Sequence, residues 1–204
     1  MFPLGTVVVP GMLVPLHVFE ERYRRLVADC LAGDPTFGIV LIERGSEVGG
    51  GDVRTDVGTA VRIVRADALA DGRYALAAVG LRRLRVESWL EDDPYPRAEV
   101  SDWPDEDEGD VGPVGGDGPP AGVTALLRRA AALRAELGEP APPLDVELAD
   151  DRGLASYQAV ALAPLGPTDR QALLATPSAG ARFGRLRDLL AEEVEVLAAR
   201  LAAG

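Results

Sequence analysis

Residues 2–23 read FPLGTVVVPGMLVPLHVFEERY, and this stretch decides the fold of the first half of the chain. Two apolar runs rich in β-branched residues, at 6–9 and 13–19, flank Pro10-Gly11, a dipeptide typical of turns. The pattern predicts two short strands joined by a tight turn.

A helix is predicted to follow because apolar residues then recur at helical spacing. The predicted stripe comprises Phe19, Tyr23, Leu26, Val27, Cys30 and Leu31. Gly33 stands where a helix commonly ends. We expect Phe19 to be buried against the strands, so that Phe19→Ala costs about 3–5 kcal/mol. Cys30 is predicted to be a small core residue rather than a nucleophile.

The chain beyond this helix predicts further strands up to about residue 100. Their apolar or alternating runs lie at 37–42, 59–65, 74–79, 81–86 and 98–100. Gly72 marks the turn of a hairpin before the third run, and Gly80 joins the third to the fourth.

Residues 104–120 change character, with an acidic run followed by Gly and Pro, and they predict a flexible linker between two domains. The predicted domains are a β domain over 1–103 and a helical bundle over 121–204. Helices are predicted at 123–137, 144–165 with a break near Gly153, 168–176 and 181–202, the third opened by a capping box at Thr168. The predicted apolar stripe of the last helix comprises Phe183, Leu186, Leu190, Val194, Leu197 and Leu201. Limited proteolysis is expected to cut first within 104–120.

The composition predicts a cytoplasmic protein that avoids polyanions. The net charge is −12 and all 21 basic residues are arginine, so nucleic acids and anionic membranes are not expected partners. One cysteine and one histidine exclude an intramolecular disulfide and make a structural zinc site unexpected. The apolar N-terminus lacks a basic signal-peptide region, and no run is long enough to span a membrane.

No residue pattern in the chain predicts catalysis, a cofactor or a metal. The Gly-rich residues 45–52 lack the lysine of a Walker phosphate loop. His17 is expected to be partly buried and hydrogen-bonded, since no nucleophile or orienting carboxylate can be assigned to it. The acidic run 105–110 lacks the spacing of a calcium loop and is expected to be solvated linker.

Three aromatic residues of the last β segments, Trp89, Tyr95 and Trp103, are candidates for binding apolar peptide segments. Aromatic residues in a β layer more often serve packing, and that alternative stays open.

Ordered motifs along the chain resemble the N-terminal domain of Lon-type proteases. The family's opening elements stand here as Phe2-Pro3-Leu4, Pro10-Gly11, Pro15-Leu16, Val18-Phe19-Glu20 and Arg22-Tyr23. Similarity continues through 37–41, 57–60, 71–86, 94–100 and the helical residues 162–174. The resemblance implies an α+β fold, in which a PUA-like β-barrel or half-barrel with one inserted helix precedes a C-terminal helical bundle.

The same resemblance implies recognition of a substrate or partner without proteolysis. Lon proteases continue into an ATPase module and a Ser–Lys protease, and a chain of 204 residues without lysine is expected to carry neither. We therefore expect a non-catalytic module that binds unfolded or damaged proteins, or a protein partner, in quality control or as an adaptor.

Two other functions remain open. A small-molecule or enzymatic site around the first helix would use His17, Arg22 and Tyr23. A nucleic-acid site would rest on the analogy to PUA-like folds and on Arg82, Arg83 and Arg85, against the negative charge of the chain.

Overall fold

The computed structural model describes residues 1–45, 47, 51–106, 120–143, 145 and 147–203. It divides into two units, of which the first, Met1–Pro104, contains six strands and one helix among its described residues. The strands are β1 (Phe2–Leu4), β2 (Leu13–Val18), β3 (Thr36–Arg44), β4 (Val53–Ala68), β5 (Tyr74–Trp89) and β6 (Ala98–Asp102), and the helix α1 (Glu21–Ala32) follows β2.

The strands make one mixed sheet in the order β1-β3-β4-β5-β2, which forms a half-barrel. β1 runs parallel to β3, and the other pairs are antiparallel. β2 and β6 both pair with β5, β2 along its first half and β6 along its second. The α+β half-barrel with an inserted helix is the predicted fold.

The core of this unit lies between the concave face of the sheet and α1. β2 alternates regularly, with Val14, Leu16 and Val18 buried and the residues between them exposed. From α1 the buried side chains are Tyr23, Leu26, Val27 and Cys30.

Residues 6–9 were predicted as a strand, and that prediction is wrong although Val7, Val8 and Val9 are buried. The first strand is instead β1. Because a buried carbonyl outside a ladder needs another donor, the Thr59 hydroxyl donates to the Val8 oxygen at 2.6 Å. The turn at Gly72 is confirmed, with the Gly72 N–H donating to the Leu69 oxygen at 2.9 Å.

The second unit, Asp105–Gly204, contains four helices among its described residues. They are α2 (Ala121–Glu136), α3 (Arg152–Leu162), α4 (Pro167–Leu174) and α5 (Ala179–Ala203). α5 packs chiefly on α2 and buries Phe183, Leu186, Leu190 and Leu197, which belong to its predicted stripe.

Two predicted helix starts are corrected. The segment predicted as helical from residue 144, with a break near Gly153, has a described helix only from Arg152, where the Asp151 carboxylate accepts the Leu154 N–H at 2.7 Å as an N-cap. The capping box at Thr168 is wrong as well: α4 is capped at Gly166 and has Pro167 in its first turn, so Thr168 already lies inside the helix.

Arg182 lies at the centre of the second unit with none of its surface exposed. Its guanidinium donates to both carboxylate oxygens of Asp105, at 2.6 and 3.0 Å. It also donates to the hydroxyls of Ser156 and Tyr157 and to the carbonyl oxygens of Leu173 and Thr176. Residues 107–119 of the predicted linker lie outside the described residues, but Asp105, expected to be solvated, is held in this cluster.

No described helix combines the length and apolar character that crossing a membrane requires.

Candidate functional site

An open cavity of about 320 Å³ lies between β1, β2 and the start of α1, and we call it the β1–β2 cleft. β1 and β2 are the first and last strands in the order of the sheet. The cleft is lined by Phe2, Leu4, Thr6, Val14, Pro15, Leu16, His17, Val18, Phe19, Glu20, Tyr23 and Glu47.

The floor of the cleft is apolar and well packed. Phe2, Leu16 and Val18 are almost wholly buried, and the ring of Tyr23 stacks on Phe2 with centroids 4.2 Å apart and planes 19° from parallel. Burial raises the pKa of Tyr23 to about 12, so its phenol stays protonated at neutral pH. The floor is therefore a preformed apolar surface.

Phe19 stands at the mouth of the cleft with 54% of its surface exposed. The prediction that it is buried on the helix stripe is wrong, because α1 begins at Glu21 and the capping residue Glu20 is in an extended conformation. Phe19 thus precedes the helix and does not share its apolar face. Leu31, at the other end of the predicted stripe, is also exposed, at 47%.

The polar rim of the cleft consists of Glu20 and Glu47, which line it, and of Arg22, which contacts both of them. Arg22 Nε donates to Glu20 Oε2 at 3.1 Å, and Arg22 Nη2 donates to the Glu47 carbonyl oxygen at 3.3 Å. The guanidinium lies 4.5 Å above the Tyr23 ring, a cation–π contact. The Glu47 carboxylate accepts the Gly5 N–H, so the rim side chains are held in place.

His17 borders this cleft but is exposed, which corrects the expectation of a partly buried histidine. The alternation of β2 turns its side chain away from the core. His17 and Tyr23 line the same cleft, and Arg22 contacts Tyr23, so the structure brings together the residues of the small-molecule hypothesis.

None of the three aromatic candidates lines the cleft. Trp89 packs under Arg54, whose guanidinium is 4.6 Å from its ring. Trp103 lies beneath Arg83 and Arg85, at 4.5 and 4.3 Å. The two tryptophans are placed at opposite ends of the β5–β6 ribbon, since Trp89 pairs with Ala98 and Trp103 follows the last residue of β6.

Tyr95, the third candidate, packs against the core below α1, and its hydroxyl donates to Asp29 Oδ2 at 3.0 Å. A role of Trp89, Tyr95 and Trp103 in peptide binding stays a prediction.

The arginines of the nucleic-acid hypothesis make contacts within the β unit. Arg82 pairs with Asp102 at 2.6 Å, and Arg83 is 3% exposed. Arg83 donates to the carbonyl oxygens of Trp103 and Pro104, both at 3.1 Å. These contacts tie the end of β6 to β5.

The remaining candidates fit structural roles. Cys30 is buried, as predicted, its thiol donates to the Thr36 oxygen, and burial raises the pKa of the thiol. The described part of the chain contains no cluster of three or more His, Cys, Asp or Glu residues placed to hold a metal ion.

Sequence reasoning missed most of the cleft. It placed Phe19 in the core and did not assign Phe2 or Glu47 to any site, although Phe2 belongs to the opening motif. No local signal marked the start of α1, because glutamate is not a usual capping residue and Glu20 makes no side-chain hydrogen bond to the helix end.

The site is thus an apolar cleft in an open half-barrel, which a helical unit follows in the sequence. Residues 1–192 match the family model of the ATP-dependent protease La (LON) substrate-binding domain, and the chain belongs to that family. The match is to the substrate-recognition part of these proteases and not to their catalytic part.

Two curated relatives agree with this assignment. Lon protease 1 of Herpetosiphon aurantiacus is 28% identical over 95% of the chain, and Lon protease 2 of Myxococcus xanthus is 29% identical over the same share. The chain spans about a quarter of the length of these relatives, 24% and 23%.

A solved structure, the Lon N-terminal domain protein from Xanthomonas campestris, is 31% identical with a TM-score of 0.62, and the match covers 93% of this chain and 95% of that one. The N-terminal domain of Mycobacterium avium complex Lon protease, at 19% identity and a TM-score of 0.55 over 93% and 96%, shows the same fold.

Proposed function

We propose that this chain recognises exposed apolar segments of unfolded or damaged proteins in the β1–β2 cleft, as a binding module or adaptor in protein quality control. The observation that carries the proposal is Phe19, an aromatic side chain 54% exposed beside an apolar floor. Exposed aromatic residues next to a desolvated pocket are typical of the anchors of protein interfaces.

The size and chemistry of the cleft favour a peptide over a small polar ligand. A cavity of 320 Å³ is near the lower limit for ligand pockets, which suits a few side chains of a passing segment. Arg22 is engaged by Glu20 and Glu47, so this guanidinium is committed to the rim. Membership of the substrate-binding family supports recognition as the role.

The test is Phe19→Ala measured beside Leu31→Ala. Leu31 is similarly exposed, at 47%, on the far end of α1 and does not line the cleft, which makes it a matched control. The probe is a reduced, carboxymethylated protein that cannot refold, labelled for fluorescence anisotropy.

We expect Phe19→Ala to raise the Kd for this probe by about tenfold or more, as for an interface anchor. Its free energy of unfolding should stay within about 0.5 kcal/mol of the native value, because an exposed side chain is removed. Leu31→Ala should leave both quantities unchanged. Undiminished binding by Phe19→Ala would place recognition elsewhere.

A further inference from the structure

The outer edge of β2 points to how the occupant of the cleft is held. We propose that the occupant adds as an extended strand beside β2, with apolar side chains at alternate positions in the cleft and basic side chains between them. This inference rests on the proposed function and specifies its ligand.

The register of β2 with β5 shows to which side each β2 residue turns its N–H and C=O. Gly80 N–H donates to the Met12 oxygen at 2.9 Å, and the pairs Leu13↔Val79 to Val18↔Tyr74 continue that register without interruption. Because antiparallel ladders alternate, every second residue from Met12 onward turns its N–H and C=O toward β5. Leu13, Pro15 and His17 therefore turn theirs away from β5.

This outer edge is available for pairing within the described structure. In the part of the chain that is described, β2 pairs with β5 alone and ends the order of the sheet. An unpaired strand edge is a template for another strand, and main-chain hydrogen bonds then give affinity whatever the sequence of the added segment.

Pro15 interrupts the edge and limits what it can bind. Proline has no N–H, so the edge offers donors at Leu13 and His17 and only an acceptor at Pro15 between them. An edge with a gap binds a short segment reversibly and is a poor template for aggregation, which suits a recognition module.

Side-chain chemistry selects the pattern of the occupant. An added strand directs alternate side chains to one face, and on the β2 side the cleft is lined by the apolar Leu16 and Val18, with Phe19 just beyond the end of the strand. The rim carries two carboxylates, those of Glu20 and Glu47, and one guanidinium, that of Arg22, in a chain of net charge −12. Basic residues of the occupant are therefore favoured at the positions between its apolar residues.

The experiment uses the full chain and a synthetic peptide of about seven residues, with the sequence Lys-Val-Lys-Leu-Lys-Val-Lys, which is long enough to span the 6 residues of β2. Two further peptides of the same sequence carry N-methyl groups, one on the apolar residues and the other on the inner lysines. The amides of these two sets face opposite edges of an extended strand, so each N-methyl peptide controls for the other.

We expect the unmodified peptide to bind, one N-methyl peptide to bind at least about tenfold more weakly, and the other to retain binding. The peptide that loses affinity also reports the direction of the added strand. Amide hydrogen exchange by NMR should show new protection at Leu13 and His17, whereas Val14, Leu16 and Val18 should be protected before the peptide is added.

Equal binding by all three peptides, or binding without new protection at Leu13 and His17, overturns strand addition while the cleft remains the site. If both N-methyl peptides lose affinity, the exchange measurement with the unmodified peptide decides between the two outcomes. New protection at Leu13 and His17 then supports strand addition, and its absence overturns it. If the unmodified peptide does not bind but the unfolded protein binds through Phe19, the proposed function stands and its strand mode fails. If neither binds, both proposals fail.

Discussion

Arg182 illustrates how a single residue is stabilised by the groups around it. Its guanidinium has no exposed surface, pairs with both oxygens of Asp105, and lies 3.9 Å from the centre of the Tyr157 ring. A buried cation is costly unless its donors are satisfied, and here carboxylate, hydroxyl and carbonyl oxygens accept them. Losing the arginine would leave the Asp105 carboxylate, 24% exposed, without its main partner.

We expect Arg182→Met to lower the free energy of unfolding of the second unit by about 3–5 kcal/mol, the cost of breaking a buried pair from one side. Arg187→Met is the control on the same helix, because Arg187 pairs with Asp188 at the surface and is 60% exposed. That change should stay within about 0.5 kcal/mol. Urea denaturation of both variants makes the measurement, and equal midpoints would refute a stabilising role for the cluster.

At the scale of elements, β5 shows why two predicted strands became one. The runs at 74–79 and 81–86 belong to a single strand of 16 residues that continues through Gly80, although its register with β4 shifts there by one residue. Gly80 N–H donates to the Met12 oxygen, and the Gly80 oxygen accepts the Gly11 N–H at 2.8 Å. The glycine is needed because a Cβ at this position would press against the carbonyl of Val9 and, at 3.2 Å, the Cα of Pro10.

Gly80→Ala is therefore expected to destabilise the β unit by about 1–3 kcal/mol, the usual cost of overpacking, because the obstructing atoms belong to the backbone. Hydrogen exchange read by mass spectrometry should show the loss of protection in β2 and β5. The same substitution at Gly184 in α5, where an added Cβ meets nothing within 4 Å, should stabilise its helix by about 0.5–1 kcal/mol. If Gly80→Ala left the free energy of unfolding unchanged, the backbone at Val9 and Pro10 would have to move aside at little cost.

At the scale of the whole molecule, the boundary between the two units depends on Asp105. The β unit ends at Pro104, and the next residue already belongs to the helical unit. The Glu106 N–H donates to the Pro177 oxygen at 2.9 Å, which extends the attachment by one residue. First cleavage within 104–120 stays a prediction from composition, and a cut after Asp105 would separate it in sequence from Arg182.

A fragment of residues 105–204 is expected to melt about 10 °C or more above a fragment of residues 121–204, because only the longer one supplies the Arg182 partner. Asp105→Ala in the longer fragment should remove most of this difference. Circular dichroism melting of the three fragments makes the comparison. Equal melting temperatures would show that Asp105 is dispensable to the helical unit.

Local sequence patterns were sufficient to predict an element whose structure depends mainly on residues within that element. The apolar spacing of α1 and α5, the helix formers of α2, the turn at Gly72 and the run of β3 were all predictable, because residue propensity, apolar spacing and turn chemistry act over a few positions. The opening motifs also predicted the family, which is confirmed over residues 1–192.

The candidate site depended on contacts that spacing does not report. Phe19 continues the helical period of α1 in sequence, but the extended conformation of Glu20 ends that period and turns Phe19 to the solvent. The cleft itself exists because residues 2–4 pair with β3 while β2 pairs with β5, across the width of the sheet.

By itself, then, the sequence determined the strand at β2, the apolar face of α1 and the family of the fold, since these depend on neighbours in the chain. Only the tertiary structure decided that Phe19 is exposed, that Asp105 is held by Arg182 and that β1 and β2 enclose a cleft. The physical reason is that burial and ion pairing are settled by groups far apart in sequence, here 77 residues apart for Asp105 and Arg182.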